Sequence, residues 1–181
     1  MDPCPAPLAA SPSQPLPGEA PAANILVREA SLDDAELIAH LTRISWAHKV
    51  APRSSGHHED VARVEHDLRI GGGFVLQVDE QAVGSVRWRH HDYEPAVWHI
   101  VRMGVLPDFR GAGLSQYLLE AVIHHALAAD IDQLRLTVHT DQSRLIDLYA
   151  AFGFELAPEL DAERSEPLVS SSIVMRKSLG R

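Results

Sequence analysis

A single cysteine, Cys4, in a chain of 181 residues leaves nothing for it to pair with. The disulfide framework that stabilises many small secreted domains is therefore excluded, and a cytoplasmic setting is expected. Apolar runs are short, none approaching the roughly 20 residues a spanning helix requires. Basic charge is scarce: 16 Lys and Arg stand against 25 Asp and Glu, a formal −9. Such a surface repels phosphodiester backbones and anionic headgroups, so neither nucleic acid nor membrane is an expected partner, and an amine is a mildly favoured one. Metal-ligand spacing is lacking too. Eleven histidines include the adjacent pairs His57-His58, His90-His91 and His124-His125, but no pair has the i,i+4 separation or flanking Cys of a zinc site, so no metal is expected. His124 and His125 are expected at the solvent edge of their helix.

What is present divides at residue 23. Residues 1–23 are rich in Pro, Ala and Ser, with Asp2 and Glu19 the only charged side chains. They have no basic start and no apolar h-region, so they do not read as a secretory signal, and the expectation is a disordered tail. Residues 24–181 read as one domain. Asn24–Ala30 alternates as a strand; Ser31-x-x-Asp34 forms a capping-box pattern; Leu37, Leu41 and Ile44 mark a helical face. A loop with Pro52 and Gly56 follows, then a helix through Val61, Val64 and Leu68, ended by Gly71-Gly72-Gly73 as a flexible terminator. Phe74–Val78 and Val83–Arg89 form a hairpin around Asp79-Glu80-Gln81. A third strand, Ala96–Val105, is followed by helix Leu114–Ala129, strand Leu134–Val138, helix Ser143–Phe152, and strands Phe154–Leu156 and Ser171–Arg176. This order implies an α/β (α+β) fold with helices on both faces of one sheet, and no internal repeat is apparent.

The most informative stretch is Val105-Leu-Pro-Asp-Phe-Arg110-Gly111-Ala112-Gly113-Leu-Ser115. Glycines between a strand and a helix let main-chain N–H groups crowd an anion at the helix N-terminus, where the dipole also favours negative charge. A Walker loop would need Lys then Ser or Thr where Leu114 and Ser115 stand, and a dinucleotide fingerprint would need a third glycine where Gln116 stands.

This segment resembles the pyrophosphate loop of the GNAT superfamily of acyl-CoA-dependent N-acyltransferases. Arg110, Gly113 and Ser115 occupy its Arg/Gln, Gly and Gly/Ala places, after a Val-x-Pro strand exit. A second segment, Val138 to Glu155, resembles the superfamily's next block through Leu148, Tyr149, Gly153, Phe154 and Glu155. It departs from that block at Gln142, which stands for Asn, and at Leu145, which stands for Ala. The resemblance covers about residues 24–177. It implies a mixed, mostly antiparallel central sheet with helices on both faces, and acetyl-CoA as acyl donor. The residues assigned to that donor are Met103 and Val105 for pantetheine, Arg110, Gly111, Ala112, Gly113 and Ser115 for the pyrophosphate, and Gln142.

Acyl transfer from a thioester to an amine needs a polarised carbonyl, a base for the amine, and stabilisation of the leaving thiolate. The resemblance puts the carbonyl contact on the main chain of Met103–Val105, with Gly104 fitting a bulge. It places Tyr149 as general acid or hydrogen-bond donor to the thiolate. His99, six residues before Val105 and on the same face of a regular strand, takes the place of the base. Asp92, Glu94, His90 and His91 are fallback bases acting through water. Trp46, Trp88, Trp98 and Tyr93 are candidates for an acceptor pocket or for core.

Two functions follow. One is an acetyl-CoA-dependent N-acetyltransferase acting on a small-molecule or peptide amine. The other is a catalytically idle acyl-CoA-binding module of the same fold. A nucleotide-binding protein without acyl chemistry is a third reading, for which no base-recognition feature is present. The resemblance implies that the acceptor is set by the loop at about His48–Gly56 and the region around Asp161–Ser172, whose sequences name no substrate. A homodimer remains open.

Overall fold

The computed structural model describes residues 23–47, 58–163 and 172–180. The expected tail up to residue 22, the loop His48–Gly56 and residues 164–171 lie outside them. Seven strands, β1 (Ile25–Glu29), β2 (Gly71–Val78), β3 (Gln81–His90), β4 (Val97–Val105), β5 (Gln133–His139), β6 (Glu155–Leu156) and β7 (Ser172–Ser178), form one sheet in the order β1-β2-β3-β4-β5-β7-β6. Every pairing is antiparallel except β4 with β5. Helices α1 (Ala35–Trp46) and α2 (Val61–Ile70) sit over one face, packing Ala35, Ile38, Ala39 and Val64 against Val75. On the other face α3 (Leu114–Ala128) packs Leu118, Leu119 and Val122 into the main core with Leu76, Trp88, Ile100 and Leu136. Tyr149 of α4 (Ser143–Ala151) joins that core.

Local chemistry accounts for the joints. The Ser31 N–H donates to the Asp34 carboxylate at 2.9 Å, closing the β1–α1 turn, and Arg28 holds the same carboxylate at 2.9 and 2.7 Å. The β2–β3 hairpin turns on Asp79 and Glu80, both with positive φ (48° and 70°). Two successive left-handed residues are the geometry whose twist matches the flanking strands. Gly153, at φ +80°, ends α4, and its N–H donates to Ala150 O at 2.9 Å.

Several expectations are corrected. The buried line of α1 runs through Ile38, Leu41, Thr42 and Ser45, while Ile44 is exposed. The Thr42 hydroxyl donates to Ile38 O, so a polar residue can occupy the inner face without loss. Gly71-Gly72-Gly73 does stop α2, with Gly71 as its C-cap, but it is no flexible segment: it opens β2. A Cβ at Gly71 would come within 2.0 Å of Trp88 O, and one at Gly72 within 2.3 Å of the Trp88 ring. The glycines let β2 close on a tryptophan. His125 lies not at the solvent edge but among Phe74, Trp88 and Trp98, with ring centroids 5.0–5.6 Å away. The bulge in β4 is at Arg102–Met103, since Ser85 pairs Gly104 while Arg87 pairs Val101. Gly104 instead admits α1: a Cβ there would meet the Ser45 Cβ at 2.8 Å.

Candidate functional site

Beyond β4 the chain makes one short turn, Pro107–Phe109, and enters the glycine loop. Gly111 and Gly113 have φ of +87° and +71°, and Gly113 is the N-cap of α3. A built Cβ finds nothing within 4 Å at Gly111 and only the Gln116 side chain, at 3.7 Å, at Gly113. Backbone conformation, rather than crowding, calls for glycine here, and the space before the loop is open. The first N–H groups of a helix have no intrahelical acceptor, so Gly113, Leu114 and Ser115 present donors at the positive end of the α3 dipole. Ala112 is exposed between the glycines and Ser115 is half-buried. These residues fit an anionic pyrophosphate.

Arg110 is placed otherwise than a phosphate ligand would be. Its Nε donates to Val105 O at 3.1 Å and a terminal nitrogen donates to Ser45 O at 2.6 Å. It ties the end of β4 to the end of α1, and desolvation lowers its pKa.

The parallel pair β4–β5 has three rungs, Val97–Gln133, Trp98–Leu134 and His99–Arg135, and then the strands part. Past His99 the register of β4 with β5 does not continue among the described residues, while the other edge of β4 pairs with β3 down to Gly84–Val105. Met103, in the bulge, and Val105, past it, lie on this stretch. Arg102 stands there with φ +55°, a conformation that costs a non-glycine residue about 1 kcal/mol or more. Its Nε donates to Glu59 Oε2 at 2.6 Å, and its guanidinium lies 5.2 Å from the Trp46 ring centroid.

The bulge also reverses the alternation. Trp98, Ile100 and Val105 belong to the α3-side core, whereas His99 pairs across strands with Arg89 and Arg135 on the opposite face. His99 and Val105 therefore do not share a face as a regular strand would have it. His99 stacks on His91, with centroids 5.1 Å apart. The His91 Nδ1 accepts from the N–H groups of Tyr93 and Glu94. Glu94 is held by Arg135 through two bonds of 2.7 and 2.9 Å, which lower its pKa. Asp92 and His90 lie at the end of β3 and in the turn after it, His90 stacking on Trp98 at 5.5 Å.

On the far side of the opening, Gln142 is the N-cap of α4, and residues 141–145 line a cavity of about 320 Å³. Tyr149, about two turns further along, is 7% exposed and packs on Phe154 at 5.8 Å. Burial pushes its phenol pKa well above the ordinary value, keeping it protonated. Of the aromatic candidates, Trp88 and Trp98 stack in the core at 5.3 Å. Tyr93 is exposed, and Trp46 alone borders the opening.

Sequence reasoning missed one buried ionic network. Arg87, fully buried, bonds Asp67 at 2.9 Å and lies 3.2 Å from Glu59, which also takes Arg102. Its signal was available: Arg87 and Arg89 flank Trp88 on a central strand, where an arginine requires a buried carboxylate. Among the described residues no three His, Cys, Asp or Glu side chains converge as a metal site, and no helix is long and apolar enough to cross a membrane.

Residues 38–154 match the acetyltransferase (GNAT) family model. A mycothiol acetyltransferase of Streptomyces griseus subsp. griseus is 28% identical over 127 residues, 70% of this chain and 41% of the relative. The chloroplastic GCN5-related N-acetyltransferase 2 of Arabidopsis thaliana is 28% identical over 96 residues, 52% of this chain and 35% of the relative. The chain thus spans well under half the length of either. The PaiA N-acetyltransferase of Thermoplasma acidophilum, solved in complex with coenzyme A, shares the fold with a TM-score of 0.70 at 16% identity, over 86% of this chain and 99% of that one.

Proposed function

Since the chain belongs to the acetyltransferase (GNAT) family, we propose that it transfers an acetyl group from acetyl-CoA to a primary amine by direct attack. The observation that carries this reading is the conjunction of two features. The stretch of β4 past its last rung with β5 leads straight into a loop of two left-handed glycines at a helix N-terminus. The first can pair with an extended amide chain and the second with a pyrophosphate, the two parts that coenzyme A joins.

In this reading Met103 and Val105 offer main-chain groups to pantetheine. Gly111, Ala112, Gly113 and Ser115 hold the pyrophosphate, with Gln142 across the opening. Arg110 contributes by fixing the loop to α1 rather than by touching phosphate. Acetyl-CoA supplies the activated carbonyl, and a main-chain N–H of β4 polarises it. His99, on the α1/α2 face, takes the proton from the amine, a task an imidazole side chain suits. The new C–N bond forms as the C–S bond breaks, and the electron pair leaves on sulfur. Tyr149 donates a hydrogen bond to that thiolate; its raised pKa makes it a lasting donor and a poor proton source.

The test is thiol release from acetyl-CoA on addition of a panel of primary amines, with binding of CoA followed by calorimetry. Amine-dependent release supports the enzyme. Tight binding without release for any amine would leave the idle acyl-CoA-binding module as the better account, and no binding at all would overturn both.

A further inference from the structure

Direct cross-strand neighbours on one face of a sheet have Cβ atoms about 4.5–5.5 Å apart. One such row on the α1/α2 face runs Arg89 on β3, His99 on β4, Arg135 on β5, Arg176 on β7 and Glu155 on β6. Three arginines in line with one histidine make a local concentration of positive charge in a chain whose formal charge is −9. Two of the three are answered at contact. Arg135 has Glu94 at 2.7 and 2.9 Å, and Arg176 has Glu155 at 3.0 Å and Glu159 at 2.7 Å. The buried neighbour Arg87 has Asp67 at 2.9 Å.

Arg89 differs. Its Nε lies 3.9 Å from Asp67 Oδ1, too far for a hydrogen bond, and the other oxygen of Asp67 is the one that holds Arg87. Among the described residues no acceptor lies within hydrogen-bond distance of its guanidinium, and the side chain is 40% exposed. A guanidinium with open donors therefore stands on the strand position directly beside His99.

We infer that Arg89 binds an anionic group on the acceptor, so that the substrate is a small amine carrying a carboxylate or a phosphate a few bonds from its nitrogen. The inference rests on the acetyltransferase reading with His99 at the amine. A planar guanidinium matches the paired oxygens of a carboxylate or phosphate. The Arg89 guanidinium beside the nitrogen disfavours the ammonium form and so favours the neutral nitrogen that attacks. A simple cationic amine gains nothing from Arg89, whose row neighbours are already paired with carboxylates, whereas an anionic substituent is attracted to it. The spacing of adjacent cross-strand residues brings such a substituent and the nitrogen within reach of Arg89 and His99 together.

The experiment measures kcat/KM from thiol release with two matched pairs, β-alanine against β-alaninamide and phosphoethanolamine against ethanolamine. Wild type, Arg89→Gln and Arg89→Lys are compared. Wild type is expected to prefer the anionic member of one pair, and that pair identifies carboxylate or phosphate. Arg89→Gln should lower kcat/KM for that member by about 10- to 100-fold, the scale of a charge-assisted contact. The neutral member should change less than about threefold. Arg89→Lys should restore part of the loss. Comparing variants within a pair cancels the differing basicity of the two amines. Preference for the neutral members in wild type, or equal losses for both members in Arg89→Gln, would overturn the inference while leaving the acetyltransferase intact. If Arg89→Gln fails to fold, the wild-type preference and Arg89→Lys decide. Turnover of no amine despite acetyl-CoA binding overturns the acetyltransferase reading, and this inference with it.

Discussion

Gly113 shows how little of a binding residue's role need be steric in the free protein. A side chain there has space, but not at φ +71°. Gly113→Val should cost folding about 1–2 kcal/mol for the left-handed backbone. It should weaken CoA binding far more, at least about 30-fold, because the branch occupies the space before the helix N-terminus. Calorimetry on the folded variant giving wild-type affinity would remove the glycine loop from the site. Tyr149 makes a prediction of a different kind. Tyr149→Phe should lower the single-turnover rate about 10- to 1000-fold with CoA affinity nearly unchanged. It should also alter stability in alkali. The folded state holds the phenolic proton above the ordinary value of 10.0, so above that pH the unfolded chain binds fewer protons and stability falls as pH rises. Urea melts at about pH 8 and about pH 11 should show a decline between the two that is shallower in the phenylalanine variant.

At the scale of elements, the turns were the legible part. The Ser31–Asp34 capping pattern and the hairpin turn at Asp79-Glu80 each depend on residues adjacent in sequence, and each is found where the pattern put it. Asp34 shows what such a joint contributes. The Arg28 hydrogen bonds, followed by that from the Ser31 N–H, bring its pKa down to about 2. Its contribution is therefore present above pH 4–5 and disappears as pH falls toward about 2. Discounted for solvent screening, it should amount to about 1 kcal/mol. Acid unfolding of Asp34→Asn should lose that part of the pH dependence, and a profile parallel to wild type would count against it. Arg110 is the reverse case, since its motif position suggested a phosphate ligand and its hydrogen bonds are to Val105 and Ser45. Arg110→Ala should lower stability by about 1–3 kcal/mol by leaving two carbonyls without their donor. Calorimetry should find CoA affinity changed less than about threefold. What local pattern could not supply was tertiary in origin. The inward face of α1 brings Ser45 against Gly104, and Arg102 in the β4 bulge is held by Glu59, 43 residues away.

For the whole molecule, alternation and helical period were enough to order the elements, and the order was enough to expect helices on both faces. They did not place His99 opposite Val105 or assemble the Arg87 network, since both depend on strand register and on a bulge that only the packed sheet determines. Ligand linkage offers a global check. A free CoA concentration 100-fold above Kd adds about 2.7 kcal/mol, which in a chain of this size should raise Tm by about 5–10 °C. Gly113→Val should lose that rise.

The three rungs between β4 and β5 have a mechanical consequence. Loaded across the strands from β1 to β7, the sheet is a series of seams with five rungs at β1/β2, eight at β2/β3, six at β3/β4, three at β4/β5 and seven at β5/β7. Where the rungs of a seam carry such a load together, each rung of the shortest seam bears the largest share, so that seam yields first. Tearing begins where the strands already diverge, and a molecule bridging that gap would share the load.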